Sequence, residues 1–286
     1  MIHSMTGYGQ AETTVDGKNY RIEIRSINSK YPDIFIKMPA GLRMHEIPLR
    51  KYLAGQLKRG KIHCTVTEEA GAGQLVPKLN TEAIRELDEQ IRTAFPGVEA
   101  QAYLPALLRL PEAWQHPEED AQKIWEQLMP AIRRAAKATI AYRRTEGAEI
   151  EKDLRQKTET IARGLEAIEA LDPQRIQRIR QRLLQAVKEL KDEVDPQRFE
   201  QEVLYHLDRL DINEEKQRLR HHLQYFLDTL DAPDEEKGKK LNFIAQEMGR
   251  EINTIGSKAN DAAIQQHVVE MKDALEKIKE QTANIL

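Results

Sequence analysis

Hydrophobic and polar residues alternate along the first seventy residues, which is the pattern of β-strands with one buried face. Over residues 20–27 the period is two, and Asp16-Gly17 supplies the chemistry of a tight turn just before this stretch. The pattern therefore predicts a β-hairpin over residues 3–28. The other elements predicted for this part are a strand in 31–39, a helix in 42–57, a strand in 59–70, and a helix in 82–94 capped by Asn80 or Thr81.

Beyond residue 103 the apolar residues recur at steps of three or four, which is typical of amphipathic helices. A long helical pattern covers 118–171, with Pro130 as a possible kink. The sequences LDP (171–173) and VDP (194–196) predict breaks, each with a proline suited to the first turn of the next helix. We expect an antiparallel pair of long helices that projects as an arm. Three more helices are predicted: one starting near Asp211 and Glu214, one over 238–258, and one over 261–283.

These patterns predict an α+β fold. A small N-terminal α+β domain with the order β-β-β-α-β-α is followed by a mostly helical middle arm and a helical C-terminal domain. The predicted bounds are 1–96, 97–196 and 197–286.

Composition agrees with this picture, since 32% of the residues are charged and only 5% are aromatic. Such a chain has much surface per residue, as expected for long exposed helices. The one cysteine, Cys64, excludes an intrachain disulfide and a cysteine zinc cluster, and indicates a reducing compartment. Because no apolar run has the length of a signal peptide or a membrane span, we expect a soluble cytoplasmic protein with no membrane partner.

The net charge of −3 conceals a basic N-terminal part. Residues 1–64 contain eleven Lys or Arg against five Asp or Glu, an excess of six positive charges. A basic face attracts polyanions such as RNA. The alternative is a solvated lysine-rich surface with no ligand.

The segment 238–258 places Glu247 and Glu251 one helical turn apart, where like charges repel. Two carboxylates at this spacing can converge on a divalent ion, which turns repulsion into binding energy. Glu214, Arg218 and His221 share a face of the preceding helix, so antiparallel packing could bring His221 to Glu247. The alternative is a solvated helix face with an internal Glu247–Arg250 pair. The apolar stripe predicted for the opposite side consists of Leu241, Ile244, Ala245, Met248, Ile252 and Ile255.

Five stretches carry a resemblance to a known family. They are SMTGYG (4–9), EIRSINSKY (23–31), LKRGKIHCTV (57–66), LDINEEKQRLRHHL (210–223) and GKKLNFIAQEMGREINTIGSKAND (238–261). Along nearly its whole length the chain resembles the YicC/YloC family of bacterial endoribonucleases. The resemblance implies a divalent-metal-dependent endonuclease acting on RNA, assembled as a ring-like homo-oligomer, a hexamer. The sequence has no GxxxxGK(S/T) motif, so we expect no nucleotide cofactor.

With that resemblance, Glu247, Glu251 and His221 become the predicted catalytic residues and metal ligands. Glu214 and Asp211 are predicted around the same ion. Imidazole with carboxylates suits manganese, zinc or iron better than magnesium alone, and the predicted ion is Mn²⁺, with Mg²⁺ as an alternative. Tyr8 and Tyr31 could stack on bases or pack internally. The predicted RNA-binding residues are Arg25, Asn28, Lys30, Arg59, Lys61, Arg218, Lys239, Lys240, Arg250, Asn253 and Lys258.

Two other classes of function remain open from the sequence. A non-catalytic RNA-binding scaffold, or an adaptor delivering RNA to another nuclease, would need the basic faces but not the carboxylates. A purely structural oligomer would use the polar helix faces to pair its subunits.

Overall fold

The structure is a computed structural model. It describes residues 2–29, 33–69, 78–114, 120–189, 196–233 and 237–286, with only the helical backbone for 186–189 and 196–200. The predicted strand-and-helix order of the first part and the helical remainder are confirmed, so the fold is α+β.

A four-stranded sheet forms the N-terminal part, in the order β1-β2-β4-β3. Both the β1–β2 and β2–β4 pairs are antiparallel, whereas β3 lies parallel to β4 and reaches it through helix α1. The hairpin turn has positive φ at Asp16 (48°) and Gly17 (81°), which matches the twist that joins two adjacent strands. The bounds are β1 Gly7–Val15, β2 Lys18–Ile27, β3 Asp33–Lys37, α1 Glu46–Leu57 and β4 Lys61–Glu69.

One face of the sheet is covered by α1 and by the first part of the long helix α4 (Ala121–Glu189). The helix backbone approaches β1 so closely that a Cβ at Gly9 would lie under 3.0 Å from the Ala135 carbonyl oxygen. Glycine is therefore required at this crossing. The opposite face of the sheet carries the polar half of the alternation.

Two short helices follow the sheet, α2 (Thr81–Ala94) and α3 (Ala100–Leu107). The predicted cap is confirmed, since the Asn80 side chain accepts a hydrogen bond from the Ala83 N–H at 3.3 Å. This bond satisfies one of the free donors of the first turn of α2.

Helix α4 is continuous over 69 residues, which corresponds to about 100 Å of helix. Our predicted break at 171–173 is wrong, because α4 continues through Pro173 as it does through Pro130. Proline removes one intrahelical hydrogen bond. Around Pro173 the side chains of Ile168, Asp172 and Arg175 are buried against the C-terminal helices, and this packing maintains the helix.

The chain then returns along the end of α4 as α5 (Pro196–Arg209). Pro196 is the first helical residue, as predicted. At the end of this return, the Arg175 guanidinium donates to the Leu210 carbonyl at 2.8 Å. An antiparallel pair therefore exists, but it joins the last part of α4 to α5.

The C-terminal part consists of α6 (Asn213–Asp231), α7 (Gly238–Ala259) and α8 (Ala262–Thr282), packed on the second half of α4. Helix α4 contributes Ile124–Ala136 to the N-terminal core and Ile150–Ile168 to the C-terminal core. The residues before β1 also connect the two parts, because Ser4 forms an isolated antiparallel β-bridge with Ile285. The domain bounds stay predictions; a single helix runs through both cores.

Across the described ranges, no helix combines the length and apolar character needed to cross a membrane.

Candidate functional site

Helices α6 and α7 pack antiparallel, and their shared polar edge contains the predicted carboxylates. The predicted apolar stripe of α7 is confirmed, with each of its six residues no more than 2% exposed. We call the polar edge the α6–α7 seam. It consists of Glu215, Arg218, His222 and Tyr225 on α6 and Lys240, Glu247, Glu251 and Lys258 on α7.

Glu251 lies at the centre of this seam and is only 8% exposed. Burial is the largest influence on its carboxyl and raises its pKa above the ordinary value. Arg218 and His222 oppose the rise, whereas the neighbouring carboxylates Glu215 and Glu247 add to it. Glu251 therefore retains a proton to higher pH than an exposed glutamate does.

Glu215 is a second buried carboxylate of the seam, 6% exposed. Its Oε1 accepts from the Lys258 ammonium at 2.7 Å, and its Oε2 is buried with no hydrogen-bond partner in the described chain. Our sequence reasoning missed this residue. The signal was its position four residues before the apolar Leu219, which places it on the buried side of α6.

The structure brings His222, not the predicted His221, into the seam. His221 is exposed, whereas half-buried His222 acts electrostatically on Glu251. Adjacent helical residues are separated by 100° around the axis, so only one of the two can face α7. Glu247 is half-buried and pairs with Arg250 at 3.1 Å, as the solvated-face alternative expected.

The other predicted ligands are engaged elsewhere. Asp211 accepts from the Asn213 N–H at 2.9 Å and so satisfies the first backbone N–H of α6. The Glu214 carboxylate forms an exposed ion pair with Arg218 at 2.5 Å. Glu215, one residue further along, is the α6 carboxylate that acts on Glu251.

No three His, Cys, Asp or Glu side chains of the described residues are grouped so that they could hold a metal ion. A preformed site of His221, Glu247 and Glu251 is therefore not present in the described chain. The seam still contains the carboxylates Glu215, Glu247 and Glu251, and Mg²⁺ in proteins is commonly held by only one or two carboxylates, with substrate phosphate and water as its other ligands.

A buried ionic network fixes the end of the seam to α4. Asp172 accepts from Arg175 at 2.8 Å and from the Lys216 ammonium at 2.6 Å. Arg175, 2% exposed, also donates to the carbonyls of Lys258 at 3.3 Å and Ala259 at 3.0 Å. The C-terminal end of α7 and the first turn of α6 are thus held by the same two charged residues of α4.

At the other end of α7, basic residues distant in sequence share a surface pocket of about 480 Å³. It is lined by Arg59 before β4, by Lys239 and Lys240 on α7, and by the exposed ring of Phe243. No aspartate or glutamate is among the described residues that line it. Three of the predicted RNA-binding residues therefore meet here, although they come from opposite ends of the sequence.

The exposed face of the sheet holds two further predicted residues, Arg25 and Lys61. Tyr8, Arg25, His63 and Phe35 are register partners across the four strands. The Arg25 guanidinium lies 5.6 Å from the Tyr8 ring centroid, and the Phe35 and His63 rings stack at 5.1 Å. Cations alternating with aromatic rings suit the phosphates and bases of a single strand. Lys30 and Tyr31 lie outside the described residues.

The remaining predicted RNA-binding residues have internal partners or face solvent. Asn28 donates to the Ala283 carbonyl at 2.8 Å, which ties the sheet to the C-terminal end of the chain. Lys258 pairs with Glu215, as described above. Asn253 is exposed on α7.

Comparison with known proteins gives the family. The profile described as "Endoribonuclease YicC-like, N-terminal region" matches residues 2–152, and "Endoribonuclease YicC-like, C-terminal" matches residues 168–286. The chain belongs to the YicC-like endoribonuclease family. It is 33% identical over 290 residues to a Haemophilus influenzae protein named "Probable endoribonuclease YicC". It is 31% identical over 297 residues to a protein of the same name from Clostridioides difficile. Both alignments cover 100% of each chain, so the resemblance seen in the sequence motifs is confirmed.

Proposed function

We propose that the protein is an endoribonuclease and that it cleaves RNA phosphodiester bonds at the α6–α7 seam. The observation that carries this proposal is the buried carboxylate Glu251, with its raised pKa, among cations and next to Glu215 and Glu247. Family membership and the names of the two relatives support an activity on RNA. Carboxylates repel phosphate, so their concentration in the seam favours a chemical role there over simple binding of RNA.

Proton transfer is the chemistry that this set of side chains performs best. Cleavage requires a base that takes the proton from the attacking oxygen, of water or of the ribose 2′-hydroxyl, and an acid that protonates the departing 5′-oxygen. Glu251 is suited to the exchange because burial raises its pKa above the ordinary value, so its carboxyl holds a proton more tightly than an exposed glutamate does. His222 is the imidazole beside it, and imidazole is the side chain most used for proton transfer near neutral pH. Arg218 and Arg250 offset the negative charge that develops on the phosphate.

We also propose that a divalent cation, manganese or magnesium, takes part. Glu247 and Glu251 would hold it with water and a phosphate oxygen, and it would supply positive charge and a more acidic water. The support is the clustering of these carboxylates and the unpartnered buried oxygen of Glu215. His222 takes the place of His221 as the nearby imidazole.

The RNA strand would reach the seam along α7. Lys240 and Glu247 are seven residues apart, which is two helical turns on one face and about 10 Å. A phosphate bound by Arg59, Lys239 and Lys240 would place the following nucleotides against the carboxylates. The sheet face with Tyr8, Arg25, Phe35 and His63 would hold more distant parts of the strand.

We propose that the protein works as a ring-like homo-oligomer, a hexamer as the resemblance implies. Large apolar side chains remain exposed on α5, where Leu204 is 65% and Tyr205 is 62% exposed. Exposed apolar surface of this kind marks contact sites. A closed ring covers such contacts without an open end.

A circular single-stranded RNA tests the activity directly, because only an endonuclease opens a circle. The purified protein should convert the circle to a linear product of full length before shorter products appear. Chelation by EDTA should stop the reaction, and added Mn²⁺ or Mg²⁺ should restore it. An intact circle under all of these conditions would contradict the proposal and favour an RNA-binding scaffold. Cleavage that persists in excess EDTA would contradict the metal requirement alone.

A further inference from the structure

A second cavity, of about 200 Å³, adjoins the Arg59 pocket. Three separate parts of the chain line it: the N-terminal segment, the turn between α1 and β4, and the middle of α4. Five of the nine described residues that line it are basic, and none of these nine is an aspartate or glutamate. They are His3, Lys58, Arg59, Arg143 and Arg144.

Arg143 is the buried charged residue of this cavity, since only 3% of it is exposed. Its guanidinium donates to the carbonyls of Leu57 at 2.8 Å and Arg59 at 2.9 Å, to the Met5 carbonyl at 3.4 Å, and to the Ser26 hydroxyl. All four acceptors are neutral. The Nε–H is buried with no partner in the described chain.

A buried cation held only by neutral groups is costly, and an anion beside it would offset that cost. Burial lowers the pKa of Arg143 to about 10, which still leaves the guanidinium charged at neutral pH. The Leu286 main-chain oxygen at the edge of the cavity is already engaged by the N–H groups of Lys237 and Gly238, at 3.0 and 3.2 Å. Within the described chain the Arg143 guanidinium donates only to neutral acceptors, so its charge is the one that an anionic ligand would offset.

We propose that this cavity binds a phosphate group, and that the RNA strand in the adjoining Arg59 pocket supplies it. The cavity is smaller than the roughly 300–1,000 Å³ of pockets for drug-sized ligands, which suits a phosphate rather than a whole nucleotide. Arg59 and Leu286 line both pockets, so one strand can occupy both. This inference rests on the proposed action on RNA for the source of the phosphate, but not for the site.

The test is a calorimetric titration of the full chain with inorganic phosphate at constant ionic strength. Arg144→Gln is the main variant, because Arg144 is exposed and its loss leaves the fold intact, whereas Arg143→Gln removes buried hydrogen bonds. Lys137→Gln, an exposed lysine on the same helix outside both pockets, is the charge-matched control. We expect saturable binding that Arg144→Gln weakens by about tenfold and that Lys137→Gln leaves unchanged. No saturable binding by the unmodified protein, or an equal loss in both variants, would overturn the site.

A competition experiment assigns the source of the phosphate. Phosphate should displace a fluorescent single-stranded RNA from the unmodified protein more than chloride of equal ionic strength does, and this difference should disappear in Arg144→Gln. Phosphate that binds without displacing RNA would overturn the assignment to the strand. Neither measurement requires cleavage, so failure of the proposed nuclease activity would leave the result of the titration standing.

Discussion

Lys258 on α7 is paired with Glu215 on α6 at 2.7 Å, and the other oxygen of that carboxylate is buried with no hydrogen-bond partner in the described chain. A buried carboxylate with a hydrogen-bond partner at only one of its oxygens destabilises the fold electrostatically. Glu215 also lies close enough to Glu251 to raise the pKa of the Glu251 carboxyl. The seam therefore concentrates negative charge where a proton or a cation would lower the free energy. This local cost is the physical basis of the proposed site.

The first prediction concerns stability. Because the folded state raises the pKa of Glu251 above the ordinary value of 4.5, the folded protein binds the proton more tightly than the unfolded chain does. The stabilising contribution of the Glu251 proton is present below the pKa that Glu251 has in the unfolded chain, and it is lost as pH rises through the pKa that Glu251 has in the folded protein. Glu251→Gln should therefore raise Tm relative to the unmodified protein at pH 7, and the difference should shrink as pH falls to 4. A lower Tm at pH 7 would mean that Arg218 and His222 outweigh burial.

The second prediction concerns binding of RNA through the Arg59 pocket. Replacing Arg59 and Lys240 by alanine should weaken RNA binding and flatten the slope of log affinity against log salt by about one to two units. With fewer phosphate contacts, binding of RNA releases fewer counterions. Fluorescence anisotropy across a salt series measures both quantities. Lys137→Ala with Lys272→Ala removes the same charge from exposed positions outside the pocket and should leave the slope unchanged. Equal slopes in the two double variants would show that the pocket does not contact the strand.

The third prediction concerns the buried network on α4. Asp172→Asn leaves Arg175 and Lys216 without their shared carboxylate, and breaking a buried pair in this way costs about 3–5 kcal/mol. Denaturant unfolding should show a lower midpoint. Arg178→Gln is the control. It removes an ion pair with Asp261 in which the Arg178 side chain is 55% exposed, and it should leave the midpoint nearly unchanged. Similar midpoints for the two variants would mean that the network does not anchor the seam.

The strands could be predicted from the sequence, whereas the buried arginines and their hydrogen bonds could not. The alternation over residues 20–27 predicts β2 because a strand with one buried face leaves a period of two in the sequence. By contrast, nothing in the sequence around Arg143 or Arg175 marks them as buried, since arginines are mostly exposed. Their burial depends on chain segments more than thirty residues away, such as Leu57 and Leu210.

The sequence could not decide between neighbouring residues for a related reason. His221 and His222 are equally plausible in a sequence, and so are Glu214 and Glu215. Only the rotation of α6 against α7 decides which of each pair enters the seam. The predicted helix break at Pro173 failed because packing of the flanking side chains outweighs the loss of one hydrogen bond.

The fourth prediction concerns assembly. Light scattering should give one discrete oligomer, and Leu204→Glu should reduce its size, because a charge on the exposed apolar surface of α5 opposes a subunit contact there. Glu276→Gln, a change at an exposed position of α8, should leave the size unchanged. A protein that is monomeric at every concentration, with full activity on RNA, would contradict the proposed ring.

The most direct test of the account measures single-turnover cleavage of one RNA by Glu251→Gln, Glu247→Gln and the control Glu276→Gln. These changes keep side-chain shape while removing charge, and circular dichroism checks that each fold is intact. We expect a loss of at least about a hundredfold in rate for Glu251→Gln and Glu247→Gln, the scale of a general acid or base, and no change for the control. Cleavage at the unmodified rate by both seam variants would contradict the placement of the catalytic site between α6 and α7.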